Sequence, residues 1–134
     1  MFSPVRQATL LYPTGDKGQD HHLLILLTDP FGPAKQVLLV PICSVRGVHD
    51  NSCLLVAGDH EFIKQESFVS YALARVEPAA WLVDGVNKRL FIDKGLLETK
   101  IFQRVLAGLG ISKFTKPFAK VFFMEFEKYR NRQK

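Results

Sequence analysis

AGDHEFIKQESFVSYALARV, residues 57–76, divides the chain into two halves of different pattern. Ahead of it stand short apolar runs set off by Pro, Gly and polar clusters; behind it apolar residues recur mainly at helical spacing. Within it, Gly58 and Asp59 interrupt the preceding apolar run, which marks a turn. His60, Lys64, Glu66, Ser67 and Tyr71 then follow in one short segment, so reactive side chains gather where the backbone changes course. From Ser67 onward Val69, Tyr71, Leu73 and Arg75 alternate with Phe68, Ser70, Ala72, Ala74 and Val76, which predicts a strand over 67–76.

Upstream, residues 5–12 mix β-branched and aromatic residues with Gln7 and Thr9 and predict a first strand. Residues 13–20, with a Pro, two Gly and two Asp, predict a loop. His21 and His22 lead into LLILL, whose unbroken apolar run suits a strand buried on both faces, and TDPFGPA (28–34) ends it. QVLLVPICS (36–44) is a third strand, and Pro41, which cannot donate to a ladder, places part of it at an edge or bulge. A polar turn at 46–52 and a short strand at 53–56 complete this half. Five short, locally connected strands point to a small, strongly bent antiparallel sheet or barrel.

Downstream, Pro78 suits the first turn of a short helix reaching Val83, and residues 88–92 read as a further strand. Leu97, Ile101, Phe102, Val105, Leu106 and Leu109 recur at helical spacing, and Gly110 is placed to end that helix in the left-handed conformation. A last helix is expected over 117–130, with Phe118, Phe122, Phe126 and Tyr129 along one face. Val121, Phe123 and Met124 add more apolar surface than one contact needs, which points to a dimer or partner interface. The fold class is therefore mainly β with C-terminal helices: one domain over 1–134, a barrel at about 5–92 and a helical part at about 96–130.

At 134 residues the chain suits one domain with its own core, and 47% hydrophobic against 23% charged residues excludes overall disorder. Its apolar runs are too short to span a bilayer, so no membrane is expected. MFSPVRQATLLYPTG lacks a charged region leading into a secretory apolar stretch, which predicts a cytoplasmic protein. There Cys43 and Cys53 read as free, half-buried thiols. The net charge of +5, with Lys128, Arg130, Arg132 and Lys134 near the C-terminus, favours a polyanionic partner over none, RNA or DNA included.

Taken with that strand order, HLLILLTDP, VLLVPICS, the ESFVSY run and LLETKIFQRVLAGLGIS resemble the MazF/PemK/Kid toxin family of small SH3-like barrels, over roughly residues 21–112. Pro41, Ile42, Cys43 and Ser44 stand where that family's strand ends in a proline, an aliphatic residue and Thr-Ser; Ser67, Phe68 and Val69 resemble its Ser-x-Val-like strand start. The resemblance implies a homodimeric, metal-independent endoribonuclease of a toxin-antitoxin system, neutralised by an antitoxin protein. The family's Arg-Pro pair is missing, with His21 and His22 in its neighbourhood, and Cys43 replaces its threonine. Residues 114–134 have no counterpart in the family.

RNA cleavage by the 2′-hydroxyl needs a base, an acid and groups that hold the phosphate charge. Histidine serves the first two needs near neutrality. One expected constellation therefore joins His60 to His21 or His22, with Ser44 as a further catalytic candidate. Lys64 or Arg75 would hold phosphate, and Ser67 and Tyr71 would complete the substrate-binding set. The alternatives are structural: His60 and Asp59 as turn residues, Ser67 as a strand start, Tyr71 as a core ring, Lys64 and Arg75 as solvated charges. The His49-Asp50 pair lacks further ligands at defined spacing, so no metal and no cofactor are expected. Phosphate loops of the common kinds and the Gly-x-Ser-x-Gly elbow are both missing, which disfavours a nucleotidase or esterase. A noncatalytic barrel module that binds a protein or a nucleic acid is the alternative to the toxin.

Overall fold

The computed structural model describes residues 1–14 and 20–133, with only the backbone described at 14, 20 and 21. Of the loop expected at 13–20, residues 15–19 lie outside the described residues; the flanking positions belong to strands. Strands β1 (Ala8–Thr14), β2 (Asp20–Leu26) and β3 (Gln36–Ser44) form consecutive antiparallel pairs. β3 occupies the residues its pattern predicts. The unbroken LLILL run is buried on both faces: Leu23, Ile25 and Leu27 join one core, Leu24 and Leu26 the other.

Where one strand is expected over 67–76, there are two. β5 (Ser67–Val69) pairs with the end of β3 and with β4 (Leu54–Leu55), a 3₁₀ turn follows over Tyr71–Leu73, and β6 (Arg75–Pro78) pairs with the start of β3. From Val69 to Arg75 the chain takes six residues while β3 passes from Ile42 to Leu39 in three. Pro41 lies opposite this detour. Its carbonyl accepts from Ser70 N at 3.0 Å, but it has no N–H to return on the same edge, so the ladder lapses and the chain turns Tyr71 inward.

Helix α1 (Ala79–Asn87) starts after Pro78 and runs longer than expected. β7 (Ile92–Leu96) then pairs with β1, later in the chain than the strand expected at 88–92. Phe91 explains the delay: its ring packs where a Cβ on Gly85 would sit, which turns the chain back against α1 before pairing begins. The strand order is β4-β5-β3-β2-β1-β7, with β6 sharing an edge of β3. The mainly β architecture with helices following is thus present, as an open seven-stranded sheet among the described residues. Closure into a barrel does not occur, because helices cover both faces instead.

On one face, Leu97 and the Ile101, Phe102, Val105 and Leu109 side of α2 (Thr99–Ile111) meet Leu23, Ile25, Leu38 and Val40. Burying each such side chain contributes about 1.5–3 kcal/mol. On the other, Ala79 and Leu82 of α1 cover Leu10, Leu24, Leu26 and Leu39. α2 runs through Gly110, which is not left-handed; Ser112 ends it. The expected glycine stop is unnecessary, because Thr115 Oγ1 donates to Leu109 O at 2.8 Å and Ser112 N donates to Gly108 O at 2.9 Å, satisfying carbonyls of the helix end.

α3 (Pro117–Arg132) buries Ala119 and Phe126. Its aromatic stripe docks through Phe31, whose ring centroid lies 4.7 Å from Phe122, 5.6 Å from Phe126 and 5.9 Å from Tyr129. Phe123 is half-buried against the core, while Phe118, Val121 and Met124 remain exposed. No helix among the described residues is long and apolar enough to cross a membrane.

Candidate functional site

Two hollows adjoin at His22, where β2 passes beyond its last pairing with β3. The first, of about 250 Å³, is lined by His22, Leu23, Ile42, Ser44, the 62–65 segment and Ser67. It brings together four residues expected at the site: His22, Ser44, Lys64 and Ser67. Gln65 organises the two hydroxyls. Its Nε2 donates to Ser44 Oγ at 2.8 Å, leaving the Ser44 proton available to a ligand, and its backbone carbonyl accepts from Ser67 Oγ at 3.0 Å. Lys64 is exposed at the rim and brings a cation.

The second hollow, of about 230 Å³, is lined by Tyr12, His22, Leu24, Pro41, Leu73 and Arg75. Tyr12 and His22 are cross-strand partners, as are Leu24 and Pro41, so strand alternation sets these side chains on one face. Arg75 is held rather than solvated. Its Nε and Nη2 donate to Glu77 Oε2, and the guanidinium lies over the Tyr12 ring at 5.2 Å and the Trp81 ring at 5.1 Å. Burial works against its charge, but the bonds to Glu77 and Tyr12 outweigh this and hold its pKa above the ordinary value.

Two expected residues stand elsewhere. Tyr71 is fully buried and donates to Val105 O at 2.7 Å, so it is a core ring; burial pushes its pKa far up. His60 is also buried, away from both hollows. Nδ1 accepts from Phe62 N at 3.0 Å, which places the ring proton on Nε2, and Nε2 lies 3.2 Å from both Lys94 O and Thr9 Oγ1. Thr9 Oγ1 in turn donates to Gly95 O at 2.7 Å. His60 therefore ties the turn at 57–63 to β1 and β7 with both nitrogens engaged. Asp59 accepts from Val56 N at 2.9 Å in the same turn, and Gly58 adopts φ +99°.

His21 sits in β2 opposite Pro13, with its side chain outside the described residues. His49 Nδ1 is 2.6 Å from Gly47 O, while Asp50 accepts from Ser52 and Ser112, so the His-Asp pair serves separate turns. Among the described residues no three of His, Cys, Asp and Glu gather as a metal would require. Cys43 is half-buried and Cys53 buried, both unpaired, and burial raises the pKa of each thiol.

Sequence reasoning missed Tyr12, Gln65 and Trp81. Tyr12 was legible as a strand residue, and its register opposite His22 is the signal that joins it to the site. Gln65 and Trp81 carry no signal of that kind, because their roles arise from tertiary packing. No family model matches the chain, and no curated protein does.

Proposed function

We propose that the chain is a MazF/PemK-like toxin-type protein acting on single-stranded RNA across the two hollows, with endoribonuclease chemistry centred on His22. The observation that carries this reading is His22 itself, shared by a hollow rich in hydroxyl, amide and ammonium groups and one rich in rings. Lys64 and the Ser44 hydroxyl suit a phosphate, and the imidazole suits proton exchange with an adjacent 2′-hydroxyl. The net charge of +5 adds attraction for the polyanion. In the same reading the chain is a cytoplasmic homodimer restrained by an antitoxin protein, and exposed Phe118, Val121 and Met124 on α3 offer apolar surface for an assembly.

The noncatalytic module is the second reading, and His60 favours it. With both of that ring's nitrogens engaged, His22 would have to serve both proton transfers. Labelled single-stranded RNA followed by anisotropy and by cleavage on gels separates the two. The RNA reading expects binding at low salt, weakened by Lys64→Ala across all sequences with a salt slope reduced by about 1. Cleavage abolished by His22→Ala supports the toxin, binding without cleavage leaves the module, and failure to bind removes RNA altogether.

A further inference from the structure

The Tyr12–Arg75 hollow differs in chemistry from its neighbour. Leu24, Pro41 and Leu73 give it apolar surface, and its polar groups are a phenol, an imidazole and a guanidinium, with no carboxylate in its lining. Arg75 is poorly suited to gripping phosphate there. Its charge is matched by Glu77, and Tyr12 and Trp81 fix its plane. A rigid guanidinium whose charge is already compensated gains little from another anion but still presents directed N–H donors.

A planar ligand with an apolar face and adjacent acceptors on one edge fits such a lining. Among nucleobases guanine has that edge, in O6 and N7, and it is the commonest base partner of arginine. Adenine places an N6 donor where O6 would be, while cytosine, whose adjacent acceptors N3 and O2 lie on its pairing edge, offers a single ring rather than two to the apolar lining. We infer that the Tyr12–Arg75 hollow is a nucleobase subsite that selects guanine, with Lys64 and Ser44 taking the phosphate in the adjoining hollow. This rests on the RNA reading for its biological meaning, but its physical content concerns the free base as well.

Trp81, the only tryptophan in the chain, lies next to Arg75 and serves as the reporter. Uncharged guanosine, adenosine, cytidine and uridine are titrated separately against the intact protein while Trp81 fluorescence is followed, with calorimetry as a check. The expected result is guanosine bound about 5- to 150-fold more tightly than adenosine. Arg75→Lys keeps the charge but loses the fork, so it abolishes that preference, and a thermal scan verifies that the variant is folded at the titration temperature. Tyr12→Phe checks the neighbouring donor and reduces the preference. Equal binding of the four nucleosides, no binding of any, or a preference that survives Arg75→Lys would overturn the assignment. RNA binding by Lys64 is read in the separate anisotropy experiment, so a protein that binds RNA yet ignores nucleoside identity loses only this inference. One that selects guanosine yet ignores RNA loses only the broader reading.

Discussion

Two glycines of α2, two residues apart, are expected to respond to alanine with opposite signs. At Gly108 a Cβ would overlap the Tyr71 hydroxyl and stand 2.7 Å from its Cζ, in a ring with no exposed surface. Overpacking of this kind costs about 1–3 kcal/mol. Displacing the hydroxyl from Val105 O adds about 1 kcal/mol, and the helix preference of Ala over Gly returns about as much. Gly108→Ala should therefore destabilise the protein by roughly 1–3 kcal/mol. At Gly110 the added Cβ meets nothing within 4 Å, so only the helix preference remains and Gly110→Ala should stabilise by about 0.5–1 kcal/mol. Urea denaturation with unchanged slopes measures both. Tyr71→Phe supplies the internal control: without the hydroxyl, Gly108→Ala should cost distinctly less than in the parent. A Gly108→Ala protein as stable as the parent, or a cost that Tyr71→Phe leaves untouched, refutes the close packing of α2 on Tyr71.

Three further outcomes are expected. His60→Ala should lower stability by about 2–3 kcal/mol through its lost buried hydrogen bonds, while RNA affinity of the folded fraction stays unchanged; weakened binding by fully folded variant would return His60 to the site. Asp50 is held below its ordinary pKa because hydrogen bonds from Ser112 and Ser52 outweigh burial, so its contribution is present above the unfolded value of about 3.9 and fades as pH falls through the depressed folded value. The stability gap between parent and Asp50→Asn should accordingly narrow in acid, and a gap constant from neutral to acidic pH would contradict this. Phe31→Ala should cost about 2 kcal/mol and speed hydrogen exchange along α3 more than along α2, since Phe31 is the ring that three aromatics of α3 share; uniform acceleration would show that α3 is held by other means.

Patterns that depend on near neighbours were readable in the sequence. QVLLVPICS gave β3 because its apolar run has clear polar ends, and the spacing of Ile101, Phe102, Val105 and Leu109 gave the buried side of α2. The 67–76 alternation misled because alternation describes side chains, whereas the break comes from a missing donor on another strand, Pro41. That residue was recognised as disruptive, but its effect falls on the partner. Gly110 misled because Thr115 Oγ1 and Ser112 N satisfy carbonyls of the helix end from beyond it. At the site, Ser44, Lys64 and Ser67 were legible as polar residues near strand ends, and register brought them together with His22. The engagement of His60 with Thr9 and Lys94 was hidden by sequence separations of 51 and 34.

β3 has a further consequence for how the chain finds its alignment. A strand with one wet face is policed by water, since slipping one place would expose its oily side chains. β3 lacks that safeguard: Val37 and Leu39 enter one interior while Leu38 and Val40 enter the other, so a misaligned strand would still be dry on both sides. The correct frame must be enforced by features that do not repeat along the strand. Pro41 is one, tolerated only opposite the gap in the neighbouring edge. Thr28, whose hydroxyl accepts from Leu38 N at 3.1 Å, is another, and together they act as two pegs that admit a single setting.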